Sequence, residues 1–467
     1  MSYYILNFTK QSTFNPIKII VIKFHWNTIL IYCKAFIFLL ASQIGTALYS
    51  QQGLTLKQAW DYTKHNNYTL QQQEVLISKM TEEVSIQKIG YLPTFNAFAS
   101  YNYVSELARI DIPILLPGLN IPTIEAGVNN QYDLGFMVLQ PIFLGFRTTN
   151  LVKSATQQLH AQTVQKAVVQ NGLLLQVGLL YYNIQLNLMQ QDVLSESIKR
   201  ANNQLQRMHN LFDADQITAF DTLEVANRKL QLHNHLLKLD NLNQILVSKL
   251  GHILNKEDLP NIERLTPESV DLTLKELTDY QNQAVQQRPE LQQILSLQQA
   301  QSFGMKALKS AYYPQIYSSF SYHYARPGVN FFKDEWMDYY TAGVKLQWNL
   351  WNWKKDQRKV RQMSYEKQRL GLQNQQLIQN IQQQVKEAYQ QLKTTLQQIQ
   401  LQKQLLQQEK ERYRITEEKY QQGQISALDV STAEHALTQA HLEQQKNYIN
   451  WYQYRLQLDF ANGKIGN

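Results

Sequence analysis

Apolar residues recur along the C-terminal half of the chain at Leu377, Ile381, Val385, Ala388, Leu392, Leu396 and Ile399, separated by polar and mostly glutamine-bearing positions. Steps of four, four and three residues, repeated, make an eleven-residue period of about 3.67 residues per turn. A heptad would coil helices left-handed, whereas this period keeps packed helices nearly straight or slightly right-handed. The same ladder appears earlier at Val169, Leu173, Val177, Leu180, Ile184 and Leu188. The spacing predicts two very long helices, from about Thr148 to Asp213 and from Lys354 to Gln422, each proline-free. At 1.5 Å per residue each would measure roughly 100 Å. Turn signals end them, Asp213-Ala214-Asp215 and Gln422-Gly423, and shorter periodic segments lead back to about Gly251 and Asn462. A further helical stretch precedes each long one, at about Thr55–Lys88 and Leu274–Lys309.

Between these helices the period drops to two. Phe95, Ala97, Ala99, Tyr101 and Tyr103 share one face of a first strand. Ile316, Ser318, Phe320, Tyr322 and Tyr324 share the equivalent face further on. Their partners are Leu134, Phe136 and Val138, and Ala342, Val344, Leu346, Trp348 and Leu350. The opposite faces are mixed, with Asp133, Lys345, Gln347 and Asn349 among Met137 and Leu139. Apolar–polar alternation over about ten residues with aromatic ends is the pattern of a transmembrane β-barrel strand, and also of a soluble hairpin packed on helices. The hairpin loops, roughly Ser105–Asn130 and Ala325–Trp336, carry Pro117-Gly118 and Pro327-Gly328.

The two halves are one pattern written twice. Leu54-Thr55-Leu56-Lys57 returns as Leu272-Thr273-Leu274-Lys275, and Tyr91-Leu92-Pro93 as Tyr312-Tyr313-Pro314. From there the offset settles at 208 residues: Gly135 meets Gly343, Ile217 meets Ile425, and Asp221 meets Asp429. We therefore divide the chain into a leader at 1–50, a first repeat at 51–265 and a second at 266–467. The leader carries Lys10, Lys18, Lys23 and Lys34 with no acid, then an apolar run from Ala35 to Ile44 and Gly45-Thr46-Ala47. That is the layout of a signal peptide cut near 47–50. The one cysteine, Cys33, lies inside it, so the mature chain carries no thiol for disulfides, thiolate metal sites or nucleophilic catalysis. The net charge of +8 falls once the leader is removed and is too mild to argue for nucleic acid. Glutamine-rich runs such as Gln382-Gln383-Gln384 read as solvated helix faces, because Gln is a good helix former.

Four strands cannot close a barrel, and open sheet edges are not tolerated in lipid, so several chains must share one. Two chains would give eight strands and a filled interior; three would give twelve and a lumen. The expected fold is mainly α with a small β part. Very long antiparallel helices form an α-helical tunnel, and four strands per chain join a shared 12-stranded barrel. On Leu54-Thr55-Leu56 with Ala59-Trp60, Gly90-Tyr91-Leu92-Pro93, the duplication, and Tyr420-Gln421-Gln422-Gly423-Gln424-Ile425 before Leu428-Asp429-Val430, the chain resembles the TolC family of outer-membrane efflux proteins. The resemblance implies a homotrimer in outer-membrane lipid that docks through a periplasmic adaptor onto an inner-membrane RND or ABC transporter, for efflux or type I secretion.

It also implies a gate at the periplasmic helix tips. Asp429 matches the acid lining the constriction, and Tyr420 matches a tip tyrosine that holds the gate shut. The position of a second aspartate holds Thr432, so Glu224, one turn after Asp221, is the candidate replacement. The tyrosine's arginine partner position holds Ile425, leaving Gln424 or Arg414 as substitutes. From the residues alone, Asp221 and Asp429 read equally well as helix N-terminal caps. Trp336, Trp348, Trp351 and Trp353 surround a strand end and a helix start, as an interfacial girdle or as packing at that junction. His160, His209, His233, His235, His252, His435 and His441 are scattered singly and read as solvated. The carboxylates read as lying on polar faces. There is no Ser-His-Asp spacing, phosphate loop or HExxH, so no enzyme and no cofactor is expected. The competing reading is a structural coiled-coil protein anchored in the inner membrane, which would need no strands.

Overall fold

The structure, a computed structural model, describes residues 53–110, 124–266 and 273–466. The leader, Cys33 and Pro117-Gly118 lie outside them. A short stretch, residues 53–55 with 259–264, forms a unit of its own in which Leu54 pairs in parallel with Ile262. The remainder is the main body.

In the main body, helices α1 (Leu56–Asn66) and α2 (Tyr68–Ile89) precede strand β1 (Thr94–Tyr103). Two three-residue strands, β2 (Ala108–Ile110) and β3 (Ile124–Ala126), precede β4 (Asn130–Phe143). Then come the long helix α3 (Arg147–Asp213) and the return helix α4 (Ala219–Leu254). The second repeat supplies α5 (Leu277–Gln287), α6 (Pro289–Leu308), β5 (Gln315–Arg326), β6 (Met337–Gln347), α7 (Lys355–Gln421) and α8 (Ala427–Ala461). The long helices span 67 residues each, within a residue of the bounds the periodicity predicts. Of the predicted stripes, Val177, Ile184, Ile381, Val385, Ala388 and Leu392 are buried.

The expected single helices before each strand are in fact broken in two, at Asn67 and at Arg288. Asn67 is a favoured helix N-cap and Pro289 disfavours helix at the residue before it, so both breaks have a local cause, and each is also tied over long range. Asn67 accepts from Thr69 N at 2.9 Å, capping α2, and donates Nδ2 to Ile253 O at the end of α4 at 2.8 Å. Arg288, before a proline suited to the first helical turn, donates Nη1 to Phe460 O and Ala461 O at the end of α8, both at 3.3 Å. Two different side chains thus satisfy the terminal carbonyls of the return helix in each repeat. Glutamine also departs from the sequence reading. Gln185, Gln204 and Gln402 are buried, and Gln402 Nε2 ties α7 to Ala440 O of α8 at 2.8 Å.

The four longer strands make one antiparallel sheet in the order β1-β4-β5-β6. The register joins Phe95 to Val138, Val138 to Phe320 and Phe320 to Ala342, so the predicted apolar positions share one face. On it Phe136 stacks on Tyr322 and Phe320 on Tyr340, while Phe95, Tyr340, Val344 and Leu346 are exposed. The other face carries Ser100, Asp133, Ser321, Thr341 and His323, whose Nδ1 lies 3.1 Å from both Asp133 oxygens. A Cβ on Gly135 would come within 2.1 Å of Tyr322 O, so only glycine lets β4 and β5 pair there. Strand passes to helix through two consecutive left-handed residues, Gly145-Phe146 before α3 and Trp353-Lys354 before α7, again 208 apart.

The two repeats meet inside the chain where α3 packs on α8. There the expectation that all carboxylates sit on polar faces fails, because the Glu434 side chain is only 3% exposed. Arg200 Nη2 reaches Glu434 at 3.0 Å, Arg228 Nε at 3.5 Å and Thr438 Oγ1 at 2.7 Å, and Ser197 Oγ lies 2.6 Å from Thr438 Oγ1. The repeat-equivalent positions, Gln408, Ala436, Ala226, Leu230 and Leu405, are all uncharged, so this network occurs once per chain. Removing the shared anion strands two guanidinium groups, so Glu434→Ala should lower unfolding free energy by about 3–5 kcal/mol. A triple variant copying the other repeat (Glu434→Ala, Arg200→Gln, Arg228→Ala) should recover most of that. Guanidinium unfolding in detergent, followed by helical circular dichroism, reads both, and a triple variant no better than the single one would refute the charge argument.

Candidate functional site

Both helix hairpins turn at the same end of the main body. The turns are built alike although their residues differ. Asp215 (φ 56°) and Gly423 (φ 72°) occupy matching left-handed positions. In the first, Asp221 Oδ2 accepts from Thr218 N at 3.1 Å and from Thr218 Oγ1 at 2.8 Å. In the second, Asp429 Oδ2 accepts from Ser426 N at 3.0 Å and Ser426 Oγ at 2.7 Å, while Asp429 N donates back to Ser426 Oγ at 3.3 Å. These are reciprocal caps that satisfy the first free N–H groups of α4 and α8. The Ser426 hydroxyl, and then its backbone N–H, hold the Asp429 carboxyl below its ordinary pKa, so it is charged at neutral pH.

Tyr420 sits between the repeats. Its hydroxyl donates to Met208 Sδ at 3.3 Å, and its ring joins the apolar cluster of Met208, Val225 and Ala427 with Leu205 and Ile217. Burial pushes its phenol pKa up and the nearby Asp221 carboxylate adds to this, while Arg207 opposes it. Tyr420, Asp221, Arg207, Glu417 and Ile425 line one cavity of about 550 Å³ at the tip. The structure therefore brings Tyr420 and Asp221 together. Asp429 is exposed at its cap, and Thr432 Oγ1 bonds back to Leu428 O at 2.8 Å. Glu224 is half-exposed on the second turn of α4.

The suggested stand-ins for the missing arginine are occupied elsewhere. Arg414 is held on its own helix by Glu411, at 2.6 and 2.9 Å, and by Glu418. Gln424 Nε2 bonds Gln422 Oε1 at 2.9 Å. The cation that crosses between repeats at the tip is Arg207 of α3, 2.6 Å from Glu417 of α7, and sequence reasoning missed it. So did it miss Glu434. The signal for both lay in the repeat: a charge in one half stands where the other half has an uncharged residue.

The tryptophans also separate. Trp336 precedes β6 and stacks on Tyr324 at 4.7 Å, whereas Trp348, Trp351 and Trp353 follow that strand at the helix end of the sheet. Trp348 Nε1 donates to Tyr312 O at 3.2 Å, and all three are exposed. They are two groups at opposite ends of one strand rather than one cluster. His441 is half-buried, and its pKa is pushed down to about 4, first by that burial and then by Lys410 and Arg200.

A comparison with curated proteins finds no match. Among solved structures, a membrane protein from Pseudomonas aeruginosa is similar with a TM-score of 0.73 at 17% identity, covering 87% of this chain and 90% of that one. The outer membrane protein VceC of Vibrio cholerae gives 0.70 at 13%, covering 87% and 96%. The Campylobacter jejuni CmeC outer membrane channel gives 0.71 at 14%, covering 88% and 85%. At such identities these establish the fold. The family profile described as "Outer membrane efflux protein" matches residues 61–255 and 281–464, one segment in each repeat. Its members are transport conduits and not enzymes. The chain belongs to the outer membrane efflux protein family.

Proposed function

We propose that three copies of this chain form one passive channel. Their sheets close a twelve-stranded barrel in the outer membrane, and their helices carry the lumen through the periplasm toward an adaptor and an inner-membrane RND or ABC pump. The observation that carries this reading is the sheet itself. It has four strands of 10 to 14 residues, one face largely apolar and exposed, the other mixed with Asp133, Ser321, Thr341 and His323 on it, and its outer strands β1 and β6 each have one ladder partner among the described residues. Such lengths suit a tilted span of the hydrocarbon core. The tryptophans fit the same frame. Eleven residues of β6 rise about 36 Å, or about 25 Å once tilted by 45°, which is the height of an apolar band flanked by aromatic belts. We read Trp336 as one belt and Trp348, Trp351 and Trp353 as the other. Residues 51–265 and 266–467 are then two structural repeats of one protomer. Detergent-extracted protein should have three times the chain's mass by light scattering. A monodisperse monomer that inserts into lipid would sink the shared barrel.

The tip residues are our candidates for the closed end. A three-fold axis would gather three copies each of Asp221, Glu224 and Asp429, with Thr432 and Gln424 beside them and Tyr420 bracing the turn from behind. Charge-bearing carboxylates in a narrow lumen attract cations and repel anions. The pore should be cation-selective and blocked from the periplasmic side by a trivalent cation. The double variant Asp429→Asn, Glu224→Gln should lose most of both effects while remaining trimeric, as read by single-channel conductance in planar bilayers. Unchanged selectivity and block would leave these residues as helix caps only.

A further inference from the structure

Where β6 gives way to α7, the chain concentrates positive charge. Between Gln347 and Arg361 it carries Lys354, Lys355, Arg358, Lys359 and Arg361 against one acid, Asp356. That acid accepts from Asn352 Nδ2, and the next acid on the helix, Glu366, is held by Arg369. All five cations are exposed, and none forms an ion pair among the described residues. At about 100° per residue they fall within roughly 160° of arc on α7. Asp356, Val360 and Met363 occupy the opposite side and are half-buried, with Met363 Cε beside Gly304 of α6.

The far end of β6 is different. From Arg326 to Asp338 there are two cations and three acids, and Arg326 pairs with Asp334 at 2.7 Å. The charge is also particular to the second repeat. The positions 208 residues earlier hold Phe146, Arg147, Asn150, Leu151 and Lys153, and Lys153 Nζ lies over the Phe303 ring at 5.8 Å. The first repeat makes the same strand-to-helix junction without three of these cations, so the fold does not require them.

The exposed rings of Trp348, Trp351 and Trp353 stand at the foot of the patch. Indole rings settle at the headgroup level of a bilayer. Lys354 to Lys359 then lie within about 9 Å of that level along the helix, close to one Debye length at physiological salt. Each Lys or Arg so placed is attracted to an anionic membrane surface. We infer that this patch binds the headgroups of anionic phospholipids, in the leaflet at the helix end of the barrel. The inference rests on the barrel reading and adds a lipid class to it. The apolar face of the sheet accepts any acyl chain, whereas this patch selects by net headgroup charge.

The test reconstitutes the protein into a mixture of phosphatidylglycerol and phosphatidylcholine, extracts it in detergent, and counts retained lipids by native mass spectrometry. Both lipids carry a phosphate, but only phosphatidylglycerol is net negative. The unaltered protein should retain phosphatidylglycerol in clear excess, and the excess should shrink as salt is raised. In the variant Lys354→Gln, Lys355→Gln, Arg358→Gln, Lys359→Gln it should fall about tenfold or more. Lys354→Arg, Lys355→Arg, Lys359→Arg should keep it, which separates lost charge from a damaged fold. Removing as many exposed cations further along α7 (Lys386→Gln, Lys393→Gln, Lys403→Gln, Lys410→Gln) should also leave it unchanged. Equal retention of the two lipids, an unchanged excess in the first variant, or an equal loss in the last one overturns the inference. Spectra showing only single chains would instead sink the shared barrel, and the lipid site with it.

Discussion

The constraint on which the rest depends is the hydrogen-bonding demand of a β-sheet edge placed in hydrocarbon. Each backbone N–H or C=O left without a partner there costs several kcal/mol, and no water can supply one. A sheet of four strands with one apolar face, whose two outer strands have one ladder partner each among the described residues, satisfies its faces but not its edges. Only further strands of the same kind can finish it. In the proposed trimer, closure by copies of the chain would set the symmetry of everything attached to the sheet. The attachment itself is direct, because β4 runs into α3 and β6 into α7 through two left-handed residues each. Those two turns transmit the position of the sheet to both long helices.

The repeats agree in backbone and disagree in chemistry. The left-handed pair before each long helix, the tip turn and the reciprocal cap fall 208 residues apart in both halves. Yet Gly145 stands opposite Trp353, Asp215 opposite Gly423, Thr218 opposite Ser426, and Asn67 does the work of Arg288. Non-glycine residues in the left-handed region carry a cost of order 1 kcal/mol, so the conformation is imposed by the turn rather than chosen by the residue. Geometry is thus what duplication kept. Chemistry was free to diverge wherever a different side chain could satisfy the same backbone groups.

This explains what could be read from the sequence. Periodicity counts buried positions over many turns, so the long helices were legible to within a residue and the strand faces nearly so, although β6 ends at Gln347 and leaves Trp348 and Leu350, expected on its face, beyond it. The break at Arg288 was marked locally by Pro289, whereas the one at Asn67 was less plain, because Asn67 is also held by a carbonyl 186 residues away in the chain. The buried Glu434 was hidden for the same reason: a glutamate among polar helix residues looks solvated until the two arginines that meet it are known. At the tip, the acids could be located from the repeat, and so could their caps. That Tyr420 packs against Met208 while Arg207 takes Glu417 depends on how two hairpins sit side by side, which no local pattern encodes.

The Glu434 network, present once per chain, bears on how such an assembly reaches the right pairing. Because α3 resembles α7, and α4 resembles α8, a ring of chains offers each long helix two return helices of matching geometry. Were α3 to pack on an α4 of another copy in the manner of α8, Arg200 would be buried against Ala226 and Glu434 would lose Arg200, one of its two arginine partners. An unpaired buried charge costs several kcal/mol, whereas correct pairing of these groups adds little over an apolar contact. The network therefore acts less by strengthening the internal seam than by making the wrong one unfavourable.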